Sequence, residues 1–486
     1  MKNEAVRNLE PKVLWNHFAD INAIPRASKK EERIVSFMVD FGKSLGLKTI
    51  VDPVGNVIIS KPATSGMENR KSVVLQSHLD MVHQKNGDSD FDFDKEGIKM
   101  KVDGDWVKAD GTTLGADNGL GVAAIMSILS SDGIAHPAIE ALFTIDEETG
   151  MTGAQGLQAG YLHGDILLNL DTEEDDEIDI GCAGGIDVTA SKTYQVQTLG
   201  KGLDAYKISI TGLQGGHSGM DIHKGFGNAN KLMNSILKKL QAIVNISSLN
   251  GGSLRNAIPR ESSAIFVCEA SNVQKLFRLT ESAFDDIKEE FKTIEPNLRF
   301  TLDPADTPLQ TMHSDDQKSL LNALDAALNG VFKMSDEIED LVEASNNIAR
   351  VTVKNGFISV ACLTRSSVEE SKIQVANSLK EVFEKEGFDV EFSGSYPGWS
   401  PNRNSAILKV LESVYMDLYK SKPSVVACHA GLECGILGTH YPDMDMISFG
   451  PTIKGAHSPD ERASISSAAR FWLFLQEILK NIPLKN

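Results

Sequence analysis

At 486 residues the chain is too long for one compact core, and two to four domains are expected. Hydrophobic residues make up 41% and charged residues 24%, a globular rather than a disordered composition. The formal net charge of -19 argues against nucleic acid and an anionic membrane face as partners, because both need a basic surface.

The N-terminal stretch MKNEAVRNLEPKVLWNHFADI has no apolar core followed by a small-residue cleavage site, so no signal peptide is expected. No apolar run has the length of a membrane span. Five scattered cysteines without a CxxC argue against a disulfide framework and a thiolate zinc site, and make the cytoplasm the expected compartment.

From about Pro11 to Gly185, short apolar runs alternate with helical stretches. Residues 72–76, 141–145 and 166–170 read as strands, and 120–129 as a buried helix. This pattern predicts an α/β fold with a mostly parallel central sheet flanked by helices. The texture changes after Gly184-Gly185. Residues 206–211, 263–267 and 348–353 read as strands, and 228–241 and 366–386 as helices, the last closed by Gly387. This stretch predicts an inserted α+β domain. The α/β texture returns with a helix at 405–419, a strand at 444–449 and a final helix at 466–479. The expected organisation is a catalytic domain in two segments, 1–186 and 395–486, interrupted by an insert at 187–394.

The strands end in metal-capable side chains. His78 and Asp80 follow the first run, Glu147 and Glu148 the second and Asp171 the third. Asp117 precedes the buried helix, and His457 lies beyond the strand at 444–449. In open α/β sheets, sites form outside the carboxyl ends of strands. Alone, an acid after a strand is usually a turn former or a cap. Together these residues offer imidazole and carboxylate donors suited to zinc. Asp117, Glu148 and Asp171 carry three negative charges, and a shared hydroxide would add a fourth. Two divalent cations balance that sum, with Asp117 suited to bridge them. Adjacent residues in extended chain point opposite ways, so Glu147 is free to act as a general base if Glu148 faces a metal. Asp80 can accept the second ring N–H of His78.

The segments SHLDMV, GADNGLGVA, DEETGMTGA, LLNLDTE, GLQGGHSGMDIHKGFGNANKL and GPTIKGAHSPDER carry a further signal. In this order they resemble the two-zinc metallopeptidase family that includes carboxypeptidase G, aminoacylase, the tripeptidases and carnosinase. The nearer resemblance is to its aminoacyl-histidine (Xaa-His) dipeptidases, over about Leu14 to Leu479. The resemblance implies His78 and Asp171 on one metal, Glu148 and His457 on the other, and Asp117 between them. It implies Glu147 as the base, a cis peptide after Asp117, and an insert that closes as a lid. In the insert, His217 would polarise the scissile carbonyl, and Asn256 and Arg365 would hold the substrate carboxylate. Glu433 would meet the substrate amine.

The implied activity is hydrolysis of unblocked dipeptides, Xaa-His included, by a water shared between two divalent metals, with zinc expected and cobalt or manganese as alternatives. Small peptides are the expected partners, together with a second copy of the chain joined through the lid domain. A tripeptidase or an N-acyl amino acid deacylase would use the same site. A binding protein on an inactive fold would be marked by a lost ligand, and all five ligands are present.

Overall fold

The computed structural model describes residues 3–485 except 201, 337 and 339. The chain forms two compact units. The first holds the described residues up to Cys182, Trp399–Ala427, and those from Leu432 on. The second holds Ala183–Gly398 and Cys428–Gly431.

The first unit is built on an eight-stranded sheet. Its centre runs, in spatial order, Ile139–Thr144, Val73–His78, Ile166–Asn169 and Asp445–Ser448, and all these neighbours are parallel. Lys48–Val51 and Val57–Lys61 extend one side antiparallel, and Glu177–Cys182 joins the other side antiparallel. The sheet is therefore mixed: parallel where buried strands need crossover helices, antiparallel toward its flanks. Val73–His78 is buried along its whole length, as its unbroken apolar start requires.

The helix Ala116–Ser130 packs beside Val73–His78 and is buried nearly all round. Its Leu120, Ile125, Ile128 and Leu129 each contribute about 1.5–3 kcal/mol through burial. The final helix, Ile465–Lys480, packs against Ala406–Tyr419. These are the two C-terminal helices that the sequence pattern marks.

The second unit carries a nine-stranded antiparallel sheet with helices packed on it, an α+β arrangement. Its long strands Val342–Lys354 and Phe357–Ser366 form a hairpin through Asn355-Gly356, both with positive φ. The helix Ala229–Leu240 begins where Asn228 accepts the N–H groups of Asn230 and Lys231, a cap worth about 1 kcal/mol. The helix expected over 366–386 begins later, at Glu369. Residues up to Ser366 are instead held in the hairpin, where Thr364–Ser366 pair with Ala344–Asn346 and with Gly184–Ile186. Ladder bonds on both sides override the local helical pattern.

Candidate active site

Three of the four parallel strands deliver a functional group as they leave the sheet. His78 ends Val73–His78, Asp171 follows Ile166–Asn169, and Glu147 and Glu148 follow Ile139–Thr144. Asp117 lies in the first turn of Ala116–Ser130, where residues 117 and 118 depart from helical angles and the Asp117–Asn118 peptide is cis. His457 has φ 63 in the loop before the strand Arg462–Ser464. All belong to the first unit.

These groups converge on Asp117. Its Oδ1 is 3.1 Å from His78 Nε2, and its Oδ2 is 3.2 Å from His457 Nε2. His78 Nε2 is also 3.5 Å from Asp171 Oδ1, and His457 Nε2 is 3.0 Å from Glu148 Oε2. One carboxylate thus faces two histidine–carboxylate pairs, one per oxygen. The His78 side chain is 1% exposed, whereas that of His457 is 57% exposed. One pair therefore lies on the site's floor and the other includes a group at its mouth.

The donors fit divalent cations. Asp117, Glu148 and Asp171 are largely buried carboxylates, and among the described residues none has a lysine or arginine within ion-pair distance. Buried negative charge of this kind requires compensation. The histidines register it. Hydrogen bonding to Asp117 and Glu148 holds His457 up to about 11. Burial alone would lower His78, but Asp171 and Asp117 raise it well above its ordinary value. The cage thus attracts positive charge, whether protons or metal. A second acidic group, Glu31, Asp80 and Asp146, is different in kind. Its oxygens already accept backbone N–H groups of Lys29, Asp146, Glu147 and Glu148, and the hydroxyls of Thr149 and Thr152.

Asp80 is buried beside His78, with Oδ1 3.3 Å from His78 Nδ1. The same carboxylate accepts the backbone N–H of Glu147 at 3.0 Å and of Glu148 at 3.3 Å. Glu147 and Glu148 open a short helical turn, Glu147–Gly150, rather than extended chain. Their side chains are consequently about 100° apart around the turn, not on opposite faces. Burial raises the Glu147 carboxyl well above the usual carboxylate range.

Glu433 does not face outward from the site. It is fully buried, and its Oε2 accepts both Gln76 Nε2 and Thr144 Oγ1 at 2.6 Å. Burial pushes its carboxyl up to about 8. With both donors on its sheet-side oxygen and no exposure, it belongs to the polar interior beneath the strand ends.

The second unit gathers the remaining candidates. His217 Nδ1 accepts the N–H groups of Gly219 at 3.2 Å and Met220 at 3.1 Å, which puts the ring proton on Nε2. Ser218, next in sequence, donates its N–H to Asn256 O at 2.8 Å, and its Oγ is 3.4 Å from Arg365 Nε. The Asn256 residue is exposed. Arg365 is buried, donates to Tyr396 Oη at 3.0 Å, and has no carboxylate within ion-pair distance among the described residues. His429 is also buried, and its Nε2 lies 2.9 Å from Ser345 Oγ.

Three contributors escape the sequence pattern. Asn118 donates to Leu170 O at 2.7 Å and to Asp171 Oδ1. Arg26 and Glu461, both buried, grip the backbone around the ligands. Of these, Asn118 and Glu461 lie inside motifs, next to Asp117 and four residues after His457 respectively, whereas Arg26 carries no signal in the sequence.

Residues 74–481 match the profile of Peptidase family M20/M25/M40, and the chain belongs to that family of peptide-bond hydrolases. Over 479 residues it is 43% identical to the cytosol non-specific dipeptidase of Escherichia coli (strain K12), covering 98% of this chain and 99% of that one. It is similar to the crystal structure of aminoacylhistidine dipeptidase from Vibrio alginolyticus, with a TM-score of 0.89 and 44% identity, covering 100% of this chain and 99% of that one. The fold alone is shared with aminopeptidase PepT from Bacillus cereus, at a TM-score of 0.57 and 16% identity over 98% of this chain and 99% of that one.

Proposed function

We propose that the chain is a two-metal dipeptidase that cleaves unblocked dipeptides, Xaa-His among them. The observation that carries this reading is the division of Asp117 between His78 with Asp171 and His457 with Glu148. Its full-length similarity to two dipeptidases supports the substrate class. The five residues would hold two divalent cations, with zinc favoured by the mixed imidazole and carboxylate donors and cobalt or manganese accepted by the same set. Bound there, the cations would supply Lewis acidity to the scissile carbonyl and to the attacking water.

Glu147 takes the proton of that water and delivers it to the leaving amine. Its place beside Glu148, with its backbone held by Asp80, supports the proton-accepting role. Asp80 orients both partners of this chemistry, through the His78 ring and the Glu147 backbone. We assign the inserted unit the role of a lid and of the surface through which two copies pair. From it His217 Nε2–H donates to the developing oxyanion. Arg365, a buried guanidinium without a carboxylate partner among the described residues, takes the C-terminal carboxylate, with Asn256 contributing to the same grip. The working compartment is the cytoplasm.

Initial rates on a free dipeptide, its C-terminal amide, its N-acetyl form and a tripeptide test this reading. The free dipeptide is expected to lead, with the amide about ten- to a hundredfold slower through loss of one charged hydrogen bond. A lead by the N-acetyl compound would identify a deacylase, and a lead by the tripeptide a tripeptidase.

A further inference from the structure

Glu461 is buried, and its carboxylate spreads over four consecutive backbone N–H groups. Oε2 accepts Leu114 at 2.7 Å and Gly115 at 2.9 Å. Oε1 accepts Ala116 at 2.7 Å and Asp117 at 3.3 Å. Successive N–H groups converging at a helix start form a concavity that favours an anion. Here the anion is built into the chain.

Arg26 is equally buried and holds the carbonyl side of the same loop. It donates to Gly115 O at 2.5 Å, and also to Leu79 O at 3.0 Å and Asp80 O at 2.9 Å. A fourth bond, to Asn22 Oδ1 at 3.0 Å, anchors it to the helix Lys12–Ile21. Gly115 is thus held by its N–H to Glu461 and by its carbonyl to Arg26. A side chain is excluded there, because φ is +68 and a Cβ would lie 2.5 Å from Arg26 Nη2.

Three segments that bear candidate ligands meet in this pair. Arg26 ties 78–80 to 114–117, and Glu461 ties 114–117 to the loop that carries His457. An arginine and a glutamate placed in the interior are costly unless bonded: Glu461 spends its four hydrogen bonds on the loop that carries Asp117, and Arg26 divides its own among Gly115, the carbonyls of 79–80 and Asn22.

We propose that Glu461 and Arg26 are positioning residues that set the two oxygens of Asp117 toward two separate cations. The inference rests on the two-metal reading. In Glu461→Gln the amide keeps one acceptor oxygen and turns an N–H₂ toward two of the four backbone N–H groups. Arg26→Lys keeps the charge and loses the fork that spans the carbonyls.

Metal-free full-length protein titrated with Co(II), followed by calorimetry and by the visible d–d bands, tests the proposal. Circular dichroism monitors the fold. Wild type is expected to take up two ions. Folded Glu461→Gln is expected to bind about 10- to 100-fold more weakly, with altered d–d bands that report changed coordination. At saturating Co(II), kcat on a dipeptide should fall while KM holds. If Glu461→Gln does not fold, the same readouts on Arg26→Lys decide. Wild-type affinity and unchanged bands in the folded variants would overturn the positioning role alone. A wild-type chain that takes up no Co(II) would overturn the two-metal reading, and this inference with it.

Discussion

Asp80 Oδ1 stands 3.3 Å from Nδ1 of His78. The same carboxylate receives the backbone N–H groups of Glu147 and Glu148, so one side chain orients both a candidate ligand and the candidate base. Asp80→Asn preserves the shape but cannot accept on both sides. Activity or metal affinity should fall about 10- to 100-fold, as for other carboxylates behind a metal-bound histidine. Equal activity and equal metal content in Asp80→Asn would remove Asp80 from this role.

Metal removal offers a second check. With Asp117, Glu148 and Asp171 largely buried, and no lysine or arginine within ion-pair distance of them among the described residues, the site depends on His78, His457 and added cations to balance its charge. Chelator-treated protein should lose dipeptide hydrolysis and regain it with Zn, Co or Mn. The thermal midpoint should rise on metal addition, because the ions bind the folded chain. Full turnover by protein shown to be metal-free would end the two-metal reading.

His217 holds its proton on Nε2 because two backbone N–H groups occupy Nδ1. His217→Ala should lower kcat by about 10²–10³, the usual effect of removing one oxyanion donor. Metal content should stay at the wild-type level, since His217 belongs to the unit that lacks the ligand cluster. A loss confined to KM would instead place His217 in substrate binding.

His429 makes stability depend on pH. Burial, reinforced by Arg365, lowers its pKa to about 3, so the folded chain keeps it neutral. The unfolded chain protonates it near its ordinary value of about 6.5. Between these values the unfolded state binds the extra proton, so stability falls as pH drops below about 6.5. Denaturation midpoints of wild type and His429→Gln, compared from neutral to mildly acidic pH, should converge as this wild-type penalty grows. Parallel curves would show that His429 is not the source.

The candidate ligand cluster is partly legible in the sequence, because some of its groups follow short apolar strands and parallel strands bring their carboxyl ends together. His78, Asp171 and Glu148 are found in this way. The pattern at Glu433 is equally acidic, yet the strand residues Gln76 and Thr144 draw it into the interior. Only the packed sheet reveals that partnership. Arg26 is also silent in the sequence. Three of its four partners are backbone carbonyls, which any residue provides, in segments more than fifty positions away. The late start of the helix at Glu369 has the same origin, since ladder partners on both neighbouring strands hold residues up to Ser366.

The most direct test is Glu147→Gln, assayed together for metal content and dipeptide hydrolysis. The substitution leaves Asp117, His78, His457, Glu148 and Asp171 intact and removes the proton acceptor. The expected result is two metal ions per chain with kcat reduced by roughly 10²–10⁴. A variant with full metal and undiminished kcat would contradict the base assignment. A variant that loses metal and recovers its full rate when metal is supplied would show that Glu147 is a ligand instead.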